Sequence, residues 1–194
     1  PGLLVIRPAD ANEVAEAWRV AMKQHEKPVA LILSRQALPT IDRTKYHAAS
    51  GLDRGAYIVA DSDGTPDVIL MGTGSELSLC MGAYEALKGE GVKARVVSMP
   101  SWELFESQDD AYKNEVLPHS VLGRVAVEQG AVMGWDRYIG WGGAVIGMHT
   151  FGASAPAADL QKKFGFTPDK VLEAARAQAK RAKAHAKADS GASA

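Results

Sequence analysis

The pattern of apolar and polar residues at the start of the chain predicts a strand followed by an amphipathic helix. Leu3 to Ile6 form a short apolar run that ends at Arg7-Pro8. Asp10 is followed three residues later by Glu13, an arrangement typical of a capped helix start. The helix is expected from about residue 11 to residue 24. Its apolar face, at the spacing of a helix, consists of Val14, Ala17, Trp18, Ala21 and Met22.

The next apolar run, Val29 to Leu33, is continuous and turns polar at Ser34. A short continuous run of this kind predicts a strand that is buried on both faces. Together with the first strand and helix it makes a βαβ unit with parallel strands over residues 1–36. Arg35 lies at the carboxyl end of the second strand, where ligands bind in α/β proteins. A guanidinium there suits a phosphate or a carboxylate, and a structural ion pair or a surface arginine is the alternative.

The pattern changes after Pro39 and then resolves into a second unit. Residues 41–54 are polar and irregular, which predicts an interdomain linker. From residue 55 onward strands alternate with helices, which indicates an α/β domain with a mostly parallel sheet flanked by helices. Its predicted strands cover about residues 56–60, 68–71, 94–98, 125–127 and 144–148.

The helices of the second unit are predicted from apolar spacing and caps. The first follows the turn Gly72 to Glu76, and its apolar face is Leu77, Cys80, Met81, Tyr84 and Leu87. An acidic, partly helical connection covers Trp102 to Val116, and another helix is expected at Ala157 to Phe164. The final helix has a proline at its first position, Pro168, and runs towards Ala186, with a tail expected to fray from about residue 187.

Composition and charge exclude several classes of function. Of the 194 residues, 46% are hydrophobic and 23% charged, and the formal net charge of -1 gives no global attraction to nucleic acid or to an anionic membrane. Cys80 is the single cysteine, so it forms no internal disulfide and fits a reducing, cytoplasmic compartment. The apolar runs are far shorter than the ~20 residues that span a bilayer. We recognise no signal peptide, and the absent initiator methionine suggests a piece of a longer protein.

Candidate chemistry is sparse. The loop Gly72 to Glu76 could hold an anion on its backbone N–H groups, but no nucleotide motif is present, and a capping box formed by Thr73 and Glu76 is favoured. Glu128 ends a strand and could act as an acid or base, although a buried interface carboxylate bonded to backbone is favoured. Basic residues near the end are interpreted as cations at the carboxyl end of a helix rather than a nucleic-acid site: Arg176, Lys180, Arg181, Lys183 and Lys187.

None of the five histidines lies at a metal-ligand spacing from another histidine, the cysteine or a carboxylate. His149 follows a strand and is expected on the surface or in a loop rather than in a pocket. A solvated acidic face is predicted at Glu103, Glu106, Asp109 and Asp110.

Six short segments, in one order along the chain, resemble segments of transketolases. They are Arg7 to Glu13 (RPADANE), Leu33 to Pro39 (LSRQALP), Gly72 to Glu76 (GTGSE), Arg95 to Pro100 (RVVSMP), Phe151 to Ser154 (FGAS) and Phe164 to Thr167 (FGFT). The similarity covers almost the whole chain and weakens in the linker and the alanine-rich tail. Six segments in the same order are far more specific than any single one.

The resemblance implies both a domain layout and a function. Residues 1–40 are expected to end a pyrimidine-binding domain, and residues 55–194 to form a transketolase C-terminal domain. Transketolases use thiamine diphosphate with Mg²⁺ or Ca²⁺ to move a two-carbon ketol unit between ketose and aldose phosphates in the pentose phosphate pathway or Calvin cycle. Their active sites form between two subunits, which implies a homodimer. In the family the arginine of the LSRQ segment binds the substrate phosphate, and Arg35 occupies that position.

The family's cofactor-binding segments have no counterpart in this chain. We therefore expect no catalytic, cofactor-binding or metal-binding residue in it, and the fragment alone is expected to be inactive. Two alternatives remain. The domain from residue 55 could serve as a structural or assembly module without chemistry. The chain could also be the equivalent region of another thiamine-dependent enzyme, such as a dehydrogenase E1 component or deoxyxylulose phosphate synthase.

Overall fold

The first part of the chain folds into two strands joined by a helix. The computed structural model describes residues 2–191. The first strand, β1, spans Leu4–Ile6, the first helix, α1, spans Ala11–Lys23, and the second strand, β2, spans Val29–Leu31. β1 and β2 pair in parallel, which confirms the predicted βαβ unit. We call residues 2–40 the first unit.

The prediction that β2 is buried on both faces is wrong. Its three residues are half-buried, and Ile32 and Leu33, just beyond its end, have 53% and 54% of their surface exposed. Within residues 2–191, β2 pairs only with β1, so its other edge has no partner strand there. The apolar run Val29 to Leu33 predicts full burial, whereas a two-stranded sheet buries these side chains only in part.

The capped start of α1 is confirmed, but its buried face differs from the prediction. The Asp10 side chain accepts a hydrogen bond of 2.8 Å from the Glu13 N–H, and the Glu13 carboxylate accepts one of 2.7 Å from the Ala9 N–H. The buried residues of α1 are Glu13, Ala17 and Val20. Trp18 and Met22 are exposed by 54% and 73%, because the helix packs through the side that carries Glu13. Apolar spacing missed this face, since a carboxylate lies at its centre.

The segment predicted as a linker packs closely against α1. It contains a 3-10 helix, Ala49–Arg54, in which Leu52 is fully buried. The Ile41 N–H donates to the Asp10 carboxylate at 2.9 Å, and the Arg43 guanidinium lies 3.3 Å from the same group. The polar residues of this segment therefore bind helix α1 instead of facing only water.

The second sheet is mostly parallel, as predicted. Its five strands are β3 (Tyr57–Ala60), β4 (Val68–Gly72), β5 (Ala94–Ser98), β6 (Arg124–Ala131) and β7 (Ala144–Met148). They lie in the order β3-β5-β4-β6-β7, with β3 antiparallel to β5 and the other pairs parallel. From β4 the chain goes to β5 on one side and then to β6 on the other. In open α/β sheets ligands bind outside the carboxyl ends of strands at such a reversal.

Helices on both faces of this sheet complete the predicted architecture. They are α2 (Leu77–Gly89), α3 (Trp102–Glu106), α4 (Asp110–Val116), α5 (Asp136–Ile139), α6 (Ala157–Phe164) and α7 (Pro168–Gly191). Side chains along β4 alternate between two cores. Val68 and Leu70 pack with residues of α2, α7 and the first unit. Ile69 and Met71 pack with residues of α3, α4 and α5 on the opposite face.

The predicted helix faces and ends of the second unit are largely confirmed. The apolar face of α2 is buried at Leu77, Cys80, Tyr84 and Leu87, with Met81 partly buried. Helix α7 continues past the predicted end at Ala186, to Gly191. The last residues of the tail expected to fray, 192–194, lie outside the described residues. No helix within residues 2–191 is long and apolar enough to span a membrane.

Candidate functional site at the carboxyl edge of the second sheet

Arg35, the predicted ligand-binding residue, lies in a turn shortly after β2 and is exposed. The Ser34 hydroxyl donates a hydrogen bond of 2.8 Å to the carbonyl oxygen of Gln36, which closes the turn around Arg35. Within residues 2–191 the Arg35 guanidinium makes no hydrogen bond or ion pair, so the predicted alternative of a structural ion pair finds no partner there. The phosphate-binding role of Arg35 stays a prediction.

A second arginine, Arg7, follows β1 and reaches the carboxyl edge of the second sheet. Its terminal nitrogens bind both carboxylate oxygens of Glu128 on β6, at 2.5 Å for Nη1–Oε2 and 2.7 Å for Nη2–Oε1. A second carboxylate, Glu76 after β4, lies 3.7 Å from Nη2. Arg7 thus occupies the position between β4 and β6 where the strand order reverses. We call this group of three residues the Arg7 joint.

Both carboxylates of the Arg7 joint are buried, and this changes their protonation. Burial raises the pKa of Glu76 to about 7. The hydrogen bond from the Ser75 hydroxyl opposes this rise, the charge of Glu128 adds to it, and the charge of Arg7 opposes it. The pKa of Arg7 is itself raised, chiefly by its hydrogen bond to Glu128. The joint therefore holds a permanent cation beside a carboxyl group that titrates near neutral pH.

The sequence interpretation of Glu128 is confirmed, whereas Arg7 was missed as a site residue. Glu128 is 3% exposed and accepts a hydrogen bond of 2.8 Å from the Gly130 N–H, as expected of a buried interface carboxylate. Arg7 directly follows an apolar run, and Arg35 follows one after a single serine. The pattern that identified Arg35, a cation at the end of a predicted strand, therefore also applies to Arg7.

The loop Gly72 to Glu76 has a structural role, but the predicted capping box is wrong. The Thr73 side chain makes no capping hydrogen bond, because a 3-10 turn, Gly74–Glu76, separates it from α2. The Gly74 N–H, at a φ of 55° that favours glycine, donates to the Arg7 carbonyl oxygen at 3.1 Å. The Glu76 N–H donates to the Thr73 carbonyl oxygen. These backbone donors bind the protein itself, so the loop is not an anion site.

A second buried carboxylate, Glu13 on α1, also joins the first unit to the second sheet. It is fully buried, and its Oε1 accepts hydrogen bonds from the Tyr57 hydroxyl at 2.7 Å and from the Ser98 hydroxyl at 2.6 Å. Arg43 lies 4.0 Å from the same oxygen. Burial raises the pKa of Glu13. The two units are therefore connected through polar contacts at two separate places.

A cavity of about 280 Å³ lies between the turn that carries Arg35 and the second sheet. We call it the edge cavity. Its walls come from four of the segments singled out in the sequence, and they include Ser34, Gln36, Ser75, Gly152, Ala153 and Phe166. Arg35 itself does not line the cavity. The folding of the chain thus brings segments together that are distant in sequence, at the carboxyl edge of the second sheet.

The remaining candidate residues lie outside this edge or on the surface. His149 is exposed in the loop after β7, as expected, and residues 2–191 contain no group of three or more His, Cys, Asp or Glu side chains that could hold a metal ion. The predicted acidic face is confirmed as exposed: Glu103, Glu106, Asp109 and Asp110.

The interpretation of the C-terminal cations as helix-end residues is wrong. Arg176 forms an ion pair with Glu90, and Lys183 lies 2.9 Å from the Asp67 carboxylate. Because α7 extends to Gly191, neither cation is in its last turn. These side chains tie α7 to the body of the second domain instead.

Comparisons with known proteins match both parts of the chain. A family model described as "Transketolase-like TK C-terminal domain" matches residues 55–167, and one described as "Transketolase, pyrimidine binding domain" matches residues 1–40. A transketolase of Aquifex aeolicus is 51% identical over 171 residues, which cover 88% of this chain and 25% of that protein.

Solved structures give the same result. A transketolase from Leishmania mexicana matches with a TM-score of 0.85 and 42% identity, over 93% of this chain and 26% of its own. A Pichia stipitis transketolase, described as a complex with sedoheptulose 7-phosphate, matches with a TM-score of 0.84 and 35% identity, over 95% of this chain and 26% of its own. The chain spans about a quarter of the length of these relatives. It belongs to the transketolase family, with segments that match the pyrimidine-binding and C-terminal domains.

Proposed function

We propose that the chain is part of a transketolase that transfers a two-carbon ketol unit between ketose and aldose phosphates, in the pentose phosphate pathway or the Calvin cycle. The observation that carries this proposal is the match to two consecutive transketolase domains in one chain. The Pichia stipitis relative, described as a complex with a sugar phosphate, supports the substrate class. In this proposal residues 1–40 end the pyrimidine-binding domain, residues 41–54 are a linker, and residues 55–194 form the C-terminal domain of a cytoplasmic homodimer.

Arg35 is proposed to bind the terminal phosphate of the sugar substrate. Its side chain is exposed, and Ser34 and Gln36 close the turn that presents it. Arg7 is unsuited to this role, because two buried carboxylates already neutralise its charge. A guanidinium that is free to form a bidentate, charge-assisted contact fixes both the position and the orientation of a phosphate. Arg35 thereby orients the sugar for the reaction without taking part in bond formation.

Thiamine diphosphate and a divalent metal, Mg²⁺ or Ca²⁺, are the cofactors that the family implies, but the carboxyl edge of the second sheet does not fit a diphosphate, and residues 2–191 contain no cluster of three or more His, Cys, Asp or Glu side chains for the metal. A diphosphate would need cations or free backbone donors at the strand ends. Arg7 is held there by Glu128 and Glu76, and the Gly74 N–H is bonded to the Arg7 carbonyl oxygen. We therefore propose that cofactor binding belongs to parts of the enzyme other than residues 2–191, and that this fragment alone is inactive.

Replacement of Arg35 by alanine in the intact enzyme tests the phosphate-binding role. Loss of a charge-assisted bidentate contact should cost about 2 to 4 kcal/mol of binding, so we expect a large rise in KM for phosphorylated sugars. Unphosphorylated acceptors should react almost as before. Arg19→Ala, at an exposed arginine on α1, is the matched control. Equal losses with both kinds of substrate would exclude the assignment.

A second candidate function, subunit assembly by the C-terminal domain, is favoured by its exposed apolar side chains. Met133, Trp141 and Phe151, in loops next to β6 and β7, are 85%, 101% and 97% exposed. Large apolar side chains in such positions often mark interfaces. Deletion of residues 55–194 from the intact enzyme, followed by measurement of mass and turnover, separates the possibilities. A monomeric product would support an assembly role, and a fully active dimer would exclude it.

A further inference from the structure

The loop that carries Arg35 is anchored at both ends. We call residues 33–40 the Arg35 loop. Just before it, the Ile32 N–H donates a hydrogen bond of 2.9 Å to a carbonyl oxygen of β1, which continues the pairing of β1 with β2. Just after it, the Ile41 N–H donates to the buried carboxylate of Asp10, the cap of α1, at 2.9 Å. The ends of the loop are thus held by the strand and the helix of the first unit.

Between these anchors the Arg35 loop has a single hydrogen bond to any residue of the described range 2–191. The Ser34 hydroxyl donates it, at 2.8 Å, to the main-chain carbonyl oxygen of Gln36. Serine hydroxyls that bond the backbone of a neighbouring residue stabilise turns. Ser34 therefore closes a turn that has Arg35 at its centre, and it supplies the internal hydrogen bond that restrains the backbone there.

The Arg35 side chain depends on this turn for its direction. The Arg7 guanidinium is held by two carboxylates, whereas that of Arg35 has no such partner among residues 2–191. The conformation of the main chain at Arg35 therefore sets where the guanidinium can reach. A bidentate contact with a phosphate requires a narrow range of orientations. A backbone without the Ser34 hydrogen bond would lose conformational entropy when the phosphate binds, which weakens binding.

We propose that Ser34 is a positioning residue for the contact between Arg35 and the substrate phosphate. Its hydroxyl proton is used by the Gln36 carbonyl oxygen, so Ser34 acts through the backbone of Arg35 rather than on the substrate. The role of Ser34 rests on the phosphate-binding role proposed for Arg35. It makes the preference for phosphorylated sugars depend on a hydroxyl group one residue before the cation. The rate of the chemical step does not depend on it.

Steady-state kinetics of Ser34→Ala in the intact enzyme test this role. KM for phosphorylated sugars should rise about threefold to fivefold, the effect of one neutral hydrogen bond, whereas kcat and the KM for unphosphorylated acceptors should not change. Ser34→Thr keeps a hydroxyl group and should restore most of the affinity. Ser107→Ala is the matched control, because Ser107 is also an exposed serine whose hydroxyl donates to a main-chain carbonyl oxygen, that of Leu104 at 2.7 Å.

A double-mutant cycle with Arg35→Ala separates positioning from direct contact with the substrate. In the Arg35→Ala enzyme, Ser34→Ala should cause no further rise in KM, because the group that Ser34 positions is gone. A further rise of the same size would mean that Ser34 contacts the substrate itself, and it would overturn the proposal. An unchanged KM for Ser34→Ala would also overturn it, if Arg35→Ala alone raises KM for phosphorylated sugars. If Arg35→Ala has no such selective effect, the proposed role of Arg35 is wrong, and that of Ser34 is wrong with it.

Discussion

At the scale of single residues, Glu76 shows how position in the sheet sets the chemistry of one carboxyl group. It is 2% exposed and lies beside a second carboxylate, and burial raises its pKa to about 7 from an ordinary 4.5. Between these two pH values the folded chain keeps a proton that the unfolded chain releases. The stabilisation from this group is therefore complete below pH 4.5 and is lost as the pH rises through about 7.

Glu76→Gln should remove this part of the pH dependence of stability. The pKa shift corresponds to about 3 kcal/mol, so the midpoint of thermal unfolding of the variant should rise relative to the parent by several degrees between about pH 5 and about pH 8. Scanning calorimetry at both pH values measures the difference. Glu26→Gln, at an exposed carboxylate, is the control, and its midpoint of unfolding should differ from that of the parent by the same amount at both pH values. If the difference in midpoint between Glu76→Gln and the parent is also the same at both pH values, the Glu76 carboxyl group does not titrate between them.

At the residue scale, the sequence shows which charged side chains follow predicted strands, but not which side chains they contact in the fold. Arg35 and Arg7 both follow apolar runs, and both were visible as cations near strand ends. The sequence could not show that Glu76 and Glu128 neutralise Arg7, because those carboxylates lie 69 and 121 positions away and only the sheet brings them together. Local pattern also assigned Glu76 to a capping box, although its carboxylate lies near Arg7.

At the scale of elements, Arg124 shows how one side chain can fix the ends of two helices. It is 9% exposed and donates to the carbonyl oxygens of Leu117 and Pro118 after α4 at 3.2 and 2.7 Å, and of Tyr138 in α5 at 2.6 Å. Carbonyl groups at helix ends lack partners within the helix and carry partial negative charge. The buried cation thus satisfies several carbonyl oxygens at once, and burial lowers its pKa.

Arg124→Met should leave these buried carbonyl groups without donors. We expect the free energy of unfolding to fall by about 3 kcal/mol, as measured by chemical denaturation. Arg124→Lys should recover little, because one ammonium group cannot span carbonyl oxygens that point from separate elements. Arg137→Met, at an arginine that is 59% exposed, is the control with little effect expected. Full stability of the lysine variant would contradict this role of the guanidinium.

Elements were predicted well where packing follows simple periodicity. The parallel strands β4 and β7 and the buried face of α2 match the pattern because apolar residues cover those surfaces. The prediction failed for α1, where Glu13 is buried through hydrogen bonds to Tyr57 and Ser98, and Trp18 is exposed instead. Hydrophobic spacing cannot identify a buried face whose centre is a satisfied carboxylate.

At the scale of the whole molecule, polar contacts connect the first unit to the second domain. The Arg7 joint lies at the carboxyl edge of the second sheet, and Glu13 binds Tyr57 and Ser98 on β3 and β5. Buried ion pairs contribute little net stability compared with apolar packing, but loss of one partner leaves an uncompensated charge. The relative position of the two units should therefore be sensitive to single charge removals.

A double-mutant cycle on Arg7 and Glu128 measures this sensitivity. Arg7→Ala leaves two buried carboxylates side by side and should speed proteolysis of the first unit at neutral pH. Glu128→Gln in the same chain should recover part of the loss, with a coupling free energy of about 1 to 3 kcal/mol. Native-state hydrogen exchange of residues 4–23 provides the measurement. Additive effects of the two substitutions would indicate that the units are held together by other contacts.

The order of the two family matches, residues 1–40 before residues 55–167, agrees with the segments that resemble transketolases, whereas the contact between the first unit and the second sheet was not predictable. Each of these segments consists of consecutive residues, so their order can be recognised directly in the sequence. The edge cavity and the Arg7 joint form only when residues near positions 7, 35, 75, 128 and 152 lie close together in the fold. The periodicity of apolar residues along the sequence does not predict this proximity.

The location of Arg7 has a consequence for any attempt to separate the two units. At the strand ends of the second sheet, two carboxylates, Glu76 and Glu128, are paired with a cation, Arg7, that belongs to the first unit. Cleavage within residues 41–54 followed by removal of the first unit would leave Glu76 and Glu128 without the Arg7 guanidinium. One of the two carboxylates would then have to bind a proton, or the pair would have to bind a cation from solution. The family match to the C-terminal domain begins at residue 55 and so excludes Arg7, the cation that faces both of these carboxylates.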